Sequence, residues 1–146
     1  MVTAQELKQI FLFKNVSEPA LKLLAEAAEE VTFSPGEGIA VESEPAKALF
    51  LIRSGTVRAT REGVAAPVTF GTGQSLGQMS LLDGGPAGMT AVAVERVEAI
   101  ALRPSRLAER LLGNPQAGFE LFRAVARTLA ARLRQAVDAV ALPREP

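Results

Sequence analysis

The residues of this chain that could carry out chemistry are carboxylates, lysines, arginines and hydroxyl groups, because the sequence contains no cysteine and no histidine. That composition excludes disulfides, Cys/His zinc sites, thiolate or imidazole haem ligands, iron–sulfur clusters and the histidine base of a catalytic triad. No closely spaced pair of the remaining groups suggests general acid–base catalysis. We therefore expect neither an enzyme nor a metal centre.

A glycine-rich segment, 71–78, with the sequence GTGQSLGQ, is the next candidate for chemistry. Closely spaced glycines let backbone N–H groups approach a phosphate, and the spacing has a superficial likeness to a dinucleotide fingerprint. That fingerprint requires a surrounding strand–helix–strand unit, and the sequence indicates none. The glycines are better explained as turn residues between short strands.

The composition is that of one globular domain. The 146 residues are 48% apolar and 22% charged, and 16 basic residues balance 16 acidic ones. A neutral chain has no general attraction to nucleic acid or to anionic membranes. No apolar run approaches the roughly 20 residues of a membrane span, and residues 1–9 lack a signal-peptide pattern. We expect a single cytoplasmic domain, 1–146, that binds neither nucleic acid nor membrane by itself.

Helix and strand patterns follow one another in a simple order. Thr3 and Glu6 form a capping-box pattern before a first helix, and Ser17 is the expected N-cap of a second, so the N-terminal helices occupy 1–30. Short strands are predicted at 31–33, 39–41, 49–53, 56–60, 67–70, 90–94 and 97–102. Such a series is typical of an antiparallel sandwich or barrel. The predicted fold class is α+β, an antiparallel β-barrel over 31–103 flanked by helices.

The C-terminal helices, 104–142, comprise a short helix opened by Pro104 and a long one that starts after Asn114-Pro115 and runs to about Leu142. Apolar residues on the long helix form a heptad: Phe119, Phe122, Ala126, Leu129, Leu133, Ala136 and Val140. We expect its first third, 119–125, to pack against the barrel of the same chain. Residues 129–140 extend beyond the barrel, so we predict a homodimer through Leu129, Leu133, Ala136 and Val140.

Four arginines on the long helix could suggest a DNA-binding face: Arg123, Arg127, Arg132 and Arg134. No helix-turn-helix pattern follows them, and the net charge of the chain is zero. We therefore interpret them as the solvated side of an amphipathic helix.

Four segments stand out for the order and spacing in which they occur. They are 13–17 (FKNVS), 34–39 (SPGEGI), 49–57 (LFLIRSGTV), and 71–78 with the Leu81-Leu82 and Gly85-Pro86 pairs that follow it. Together they resemble the cyclic-nucleotide-binding domain family, which includes the catabolite activator protein and the regulatory subunits of protein kinase A. The third segment resembles the family's aromatic-hydrophobic-Ile-x-x-Gly-x-Val strand pair, and 71–90 resembles its phosphate-binding cassette. The likeness covers nearly the whole chain and implies a jelly roll, or double-stranded β-helix.

The resemblance also implies how the cassette treats a cyclic phosphate, an anion that is costly to bury unpaired. Gly77 lets the backbone approach, and the helix at 78–82 directs N–H groups at the phosphate. The family has a Glu for the ribose hydroxyl and an Arg for the charge where this chain has Gln78 and Ala87. Gln78 can still hydrogen-bond a hydroxyl, whereas Ala87 offers a phosphate nothing. Losing one charge-assisted hydrogen bond of ~1.5–3 kcal/mol weakens binding about ten- to a hundredfold.

The candidate ligand-binding residues that the cassette implies are Leu76, Gly77, Gln78, Met79, Ser80, Pro86, Ala87, Gly88 and Met89. Met79 and Met89 either line the pocket or belong to the core. Arg58 and Arg61, on the strand after Gly55, either supply a substitute charge or are solvated, and their position alone does not decide between the two.

The resemblance implies a regulatory sensor domain that binds a cyclic nucleotide weakly, or a related small molecule, and signals through its C-terminal helix. The expected ligand class is a nucleotide like cAMP or cGMP, with binding weakened by Gln78 and Ala87. One alternative is a degenerate relative that binds no nucleotide and serves as a dimerisation or protein-interaction module. Another is the sensor part of a transcription regulator without its DNA-binding domain, because the chain ends where that domain would begin.

Overall fold

The computed structural model describes residues 1–140. Its N-terminal helices are α1 (Ala4–Lys8) and α2 (Glu18–Ala27), with a single 3₁₀ turn at Phe11–Phe13 between them. The Thr3 side chain accepts a hydrogen bond from the Glu6 N–H at 3.1 Å, and the Ser17 hydroxyl accepts one from Ala20 N–H at 3.4 Å. Both predicted N-caps are therefore confirmed.

Eight antiparallel strands follow: β1 (Ala28–Phe33), β2 (Gly38–Ala40), β3 (Leu49–Ser54), β4 (Val57–Arg61), β5 (Val64–Phe70), β6 (Ser75–Leu76), β7 (Thr90–Ala93) and β8 (Val97–Leu102). They form two four-stranded sheets, with the orders β1-β8-β3-β6 and β2-β7-β4-β5. The short helix α3 (Gln78–Asp83) lies between β6 and β7. The predicted antiparallel architecture is confirmed, although the two sheets form a sandwich and do not close into a barrel.

The first sheet separates two apolar cores, and β3 contributes to both. Leu49 and Leu51 belong to the core shared with the helices, whereas Phe50 and Ile52 belong to the core shared with the second sheet. Successive side chains of a strand point to opposite faces, so a strand buried on both faces is apolar throughout. This double burial explains the continuous apolar run of 49–52, and it fixes the sheet against the helices.

The C-terminal part contains α4 (Pro104–Leu111) and the long helix α5 (Pro115–Ala139). The helix ends at Ala139, before the predicted end at about Leu142: Val140 is already extended, with φ −139°, and 141 and 142 lie outside the described residues. Asn114 does precede the helix, but its side chain makes no capping hydrogen bond there and donates instead to Arg110 C=O at 3.1 Å.

The first third of α5 does pack against the rest of the chain, but through a different face from the heptad face that the sequence predicted. Phe119 is 58% exposed and Phe122 is 42% exposed. The residues buried against the helical core are Leu121, Ala124 and Val125, together with Ala117. Two apolar stripes therefore run along α5 at neighbouring angles, and the buried one is not the heptad. Leu129 of the heptad packs against the helical core, whereas its other large residues, Phe119, Phe122, Leu133 and Val140, stay exposed in the isolated chain.

No helix within residues 1–140 is both long and apolar enough to cross a membrane.

Candidate ligand-binding site

Gly77 fixes the backbone at the start of the cassette. Its φ of +93° lies in the left-handed region, which glycine adopts without strain. A Cβ at this position would lie 2.4 Å from the carbonyl oxygen of Ala48, the residue before β3. Both the left-handed φ and the close approach of the two backbones therefore require glycine at position 77. The close approach places Gln78, the first residue of α3, directly beside the start of β3.

The cassette is tied to the loop 41–48 by hydrogen bonds from both of its ends. The Ser80 hydroxyl donates to Gly85 C=O at 2.8 Å and accepts from Ala46 N–H at 3.0 Å. The Ala87 N–H donates to Glu44 C=O at 2.8 Å. Ser80 thus closes the cassette on itself, and Ala87 has its backbone donor already engaged.

Glu42 joins the same loop to three other elements. Its carboxylate accepts from the Glu62 N–H at 3.2 and 3.3 Å, at the tip of the β4–β5 hairpin. Its carbonyl accepts from Gly88 N–H at 3.1 Å, and its own N–H donates to the Thr90 hydroxyl at 3.2 Å. The hairpin tip that carries Arg61 is thereby held to the cassette.

A cavity of about 610 Å³ lies between the second sheet, the cassette and α5. It is lined by Ala40, Ala46, Phe50, Arg61, Leu76, Gly77, Gln78, Met79, Ala87, Met89 and Ala91, and by Leu129, Arg132, Leu133 and Ala136 of α5. This volume lies within the ~300–1,000 Å³ range of small-molecule sites. The walls are mostly apolar, with two arginines and one amide as the polar groups.

Most of the predicted site residues meet at this cavity. Those that line it are Leu76, Gly77, Gln78, Met79, Ala87, Met89, Arg61, Leu129, Leu133 and Ala136. Ser80, Pro86 and Gly88 lie in the cassette but do not line the cavity. Arg58 faces a separate depression beside Gly36, so only Arg61 of that pair is brought to the site.

Gln78 is 2% exposed, and its amide is oriented by Ser75. The Gln78 Nε2 donates to Ser75 C=O at 3.2 Å and also contacts the Ser75 hydroxyl. A carbonyl can only accept, so the NH₂ end must face Ser75. The Gln78 Oε1 accepts no hydrogen bond from residues 1–140 and is not sealed from open space. The cassette therefore keeps a side-chain acceptor that residues 1–140 do not engage.

Arg132 corrects the interpretation of the α5 arginines as a solvated face. It is half-buried at the cavity, where its Nη2 donates to Ser75 C=O at 3.1 Å and its guanidinium lies 5.4 Å from the Phe70 ring centre. Burial lowers the pKa of Arg132, although a guanidinium stays protonated at neutral pH. The signal for it was present: Arg132 follows Leu129 by three residues and precedes Ala136 by four, so it shares their face.

Ser75 is the point where the cassette and α5 meet. Its carbonyl oxygen accepts from both Gln78 and Arg132, which come from the two walls of the cavity. This carbonyl oxygen connects Ser75 to Arg132, which lies 57 positions later in the chain. A displacement of either wall changes the contact of the other.

The heptad stripe of α5 forms an exposed apolar surface next to the cavity. Leu133 and Val140 are 62% and 60% exposed, and Leu129 is half-buried. The Arg123 guanidinium lies 5.8 Å from the Phe119 ring centre and partly covers it. Contiguous exposed apolar side chains of this kind mark interaction surfaces.

Metal chemistry finds no support in the described part of the chain. Residues 1–140 contain no group of three or more acidic side chains placed to hold an ion. The site is therefore that of an apolar cavity with a few polar groups, built on a jelly-roll sandwich and covered by a long helix. A cavity of that size and composition is the kind that small-molecule-binding domains have.

The chain belongs to the cyclic nucleotide-binding domain family: residues 30–114 match the model of the cyclic nucleotide-binding domain, which is more than half of the chain. The resemblance recognised in the sequence is therefore confirmed. The chain is 28% identical over 122 residues to a CRP-like cAMP-activated global transcriptional regulator of Mycobacterium tuberculosis. That match covers 81% of this chain but 54% of the regulator, so the chain spans about half of that relative's length.

Solved structures agree on the fold. A cyclic nucleotide-binding domain from Methylobacillus flagellatus superposes with a TM-score of 0.81 at 20% identity, covering 98% of this chain and 88% of that one. The N-terminal domain of a transcriptional regulator from Streptomyces coelicolor superposes with a TM-score of 0.72 at 28% identity, covering 93% and 95%. The second of these is itself one domain of a regulator. The Mycobacterium tuberculosis relative and the Streptomyces coelicolor protein are both described as transcriptional regulators.

Proposed function

We propose that this domain is a regulatory sensor that binds a small organic ligand in the cavity and transmits its presence through α5. The observation that carries the proposal is the composition of the cavity wall, which is shared between the cassette and α5. A ligand shifts a conformational equilibrium only by the contacts it makes differently in the two states. A ligand in this cavity touches α5 directly, through Leu129, Arg132 and Leu133.

The names of relatives favour a cyclic nucleotide, and two residues weaken that choice. The Mycobacterium tuberculosis regulator is described as cAMP-activated. In this chain Gln78 and Ala87 both line the cavity, and neither carries a charge. With the charged hydrogen bond of the arginine missing at Ala87, cAMP and cGMP should bind about ten- to a hundredfold more weakly than in a domain that has this arginine.

Calorimetric titration with cAMP, cGMP and a cyclic dinucleotide tests the nucleotide proposal. The double variant Gln78→Glu with Ala87→Arg should bind cAMP at least about tenfold more tightly than the original chain. Ala66→Arg is the matched control, because Ala66 is exposed on β5 and lies outside the cavity. If the double variant folds and still binds no cyclic nucleotide, the cavity does not accept one.

The signalling part of the proposal is tested by hydrogen exchange. A bound ligand should slow the exchange of backbone amides in 129–139 more than in the first half of α5, since only the later residues line the cavity. Protection confined to the cassette, with α5 unchanged, would contradict transmission through the helix.

A second function, dimerisation, is favoured by the exposed heptad stripe. Leu133 and Phe122 are large apolar residues that the isolated chain leaves in water. A second copy of α5 with the same heptad would cover them. Leu133→Asp and Phe122→Asp should each halve the mass measured by light scattering, whereas Gln135→Asp on an exposed position outside the stripe should not. An unchanged mass in both variants rejects the interface.

A further inference from the structure

We infer that the ligand of the cavity is an organic anion with an apolar body, and that Arg132 of α5 holds its negative group. The inference rests on the proposed ligand-binding function and specifies the chemistry of the ligand. It assigns the counter-charge to the helix that covers the cavity, whereas the family resemblance places it in the cassette, at the position of Ala87.

The charge of the lining supports an anion. Arg61 and Arg132 both line the cavity, and within residues 1–140 no acidic side chain does. Arg132 makes no ion pair with any described residue, and its side chain donates to a single neutral acceptor, the Ser75 carbonyl. A guanidinium carries five N–H donors. Most of the hydrogen-bonding capacity of this half-buried cation is therefore available to a ligand.

The remaining walls support an apolar body. The large apolar side chains that line the cavity are Phe50, Leu76, Met79, Met89, Leu129 and Leu133. The two methionines are unbranched and adapt to ligands of different shape. A ligand of the size the cavity holds has to bury most of its surface against these side chains.

The residues after Pro86 and the side chain of Gln78 have little to offer a negative charge. Ala87 has no polar side-chain atom, and its N–H donates to Glu44 C=O at 2.8 Å. The next N–H, of Gly88, donates to Glu42 C=O at 3.1 Å. Gln78 presents an acceptor oxygen, which favours a hydroxyl or amine on the ligand and not an anion. The positive charge at the site comes from the arginines.

Arg132 can leave Ser75 at little cost. The Ser75 carbonyl also accepts a hydrogen bond from Gln78, so it is not left unsatisfied when the guanidinium turns to a ligand. An unsatisfied buried acceptor is the expensive outcome of breaking a hydrogen bond, and it is avoided here. Binding of an anion would therefore release the one hydrogen bond that joins α5 to β6.

A matched pair of fluorescent probes tests the inference with the whole 146-residue chain. 8-Anilinonaphthalene-1-sulfonate is an anion with an aromatic body, and N-phenyl-1-naphthylamine is the same body without the sulfonate. The chain should bind the sulfonate more tightly than the neutral amine. Arg132→Gln should weaken the sulfonate about ten- to a hundredfold and leave the amine unchanged. Arg132→Lys, which keeps the charge, should restore part of the preference.

Two controls locate the effect. Arg134→Gln removes an equal charge from an exposed position of α5 and should change the affinity for neither probe. Met79→Trp fills the cavity from its mouth, where Met79 is 42% exposed, and should weaken both probes. Competition against the bound sulfonate probe then identifies the anionic group. Displacement of the probe by decanoate but not by decanol indicates a carboxylate ligand, whereas its displacement by cAMP indicates a cyclic phosphate.

The outcomes separate the inference from the proposed function. If both probes bind and Arg132→Gln weakens them equally, or spares the sulfonate, the counter-charge assignment is overturned while the ligand cavity stands. The same holds if the neutral amine binds more tightly than the sulfonate. If neither probe binds, the inference is overturned, and the cAMP titration alone decides whether the cavity binds a ligand.

Discussion

Gly77→Ala should destabilise the fold far more than a glycine substitution at an ordinary turn, because two costs coincide there. The left-handed φ of +93° strains any residue with a Cβ, by about 1–2 kcal/mol. The new Cβ would also lie 2.4 Å from the Ala48 carbonyl oxygen. That neighbour is backbone at the start of the central strand β3, so it cannot move aside as a flexible side chain would.

Gly36→Ala isolates the first cost from the second. Gly36 has a similar φ of +83°, but nothing lies within 4 Å of its would-be Cβ. It should therefore lose only the ~1–2 kcal/mol of conformational strain. Forced overpacking in a close-packed region adds ~1–3 kcal/mol, so Gly77→Ala should lose about 2–5 kcal/mol in total. Against a typical domain stability of ~5–15 kcal/mol, that is a large share.

Urea denaturation followed by far-UV circular dichroism measures the difference, since the chain has no tryptophan or tyrosine for fluorescence. The free energy of unfolding should fall more for Gly77→Ala than for Gly36→Ala by about 1–3 kcal/mol, with similar m-values. Equal losses in the two variants would refute the steric contact between the cassette and β3. A Gly77→Ala variant that remains stable but loses ligand binding would show that the strain is relieved by moving the cassette into the cavity.

Three further predictions concern the frame that holds the site. Leu121→Ala, at a fully buried position of the helical core, should lower the free energy of unfolding by ~2–5 kcal/mol in the same denaturation assay. Its control, Leu112→Ala at an 89% exposed position, should change that free energy by less than about 0.5 kcal/mol. Ser17→Ala removes the α2 cap and should lower stability by about 1 kcal/mol in thermal unfolding, with Ser17→Thr retaining most of it. Hydrogen bonds from the N-terminal amine and then from Arg53 lower the pKa of Glu30 from 4.5. Its contribution to stability is therefore fully present above 4.5 and is lost as the pH falls below 4.5 through the lowered pKa of the folded state. Glu30→Gln should therefore make stability less dependent on pH below 4.5, and an unchanged acid limb of the stability curve would contradict the pairing.

Local signals predicted the elements wherever each signal was strong. Thr3 and Ser17 marked the helix starts because an N-cap satisfies orphan N–H groups whatever the tertiary fold. The strand β5 was predicted to start at Pro67, three residues late, because Ala65 and Ala66 carry little strand preference. Pro67 is tolerated inside it since β5 is the edge of its sheet. The strand β6 has two residues, too few for any alternation to show.

The cassette wall of the cavity could be predicted from the sequence, whereas the α5 wall could be predicted only in part. Gly77 and its neighbours are contiguous, so a motif finds them together. Arg132 reaches them across 57 positions, and the residue type alone does not tell a solvated arginine from one whose stem crosses an apolar face. The spacing of three residues from Leu129 indicated that Arg132 shares its face. Because α5 carries two apolar stripes, however, the sequence did not show which of them lies against the rest of the chain. The buried Leu121 and the exposed Phe122 differ by one residue.

The two stripes of α5 also bear on its proposed functions, because one turn of the helix contributes side chains to both the cavity and the exposed stripe. Leu133 lines the cavity and is also 62% exposed on the heptad face. A ligand that repositions Leu133 or Arg132 must change the surface that a second copy of the chain would meet. We therefore expect the proposed dimerisation and the proposed ligand binding to be energetically coupled at this residue. Since such coupling is reciprocal, a ligand that strengthens the dimer must bind the dimer more tightly than the monomer, and by the same factor.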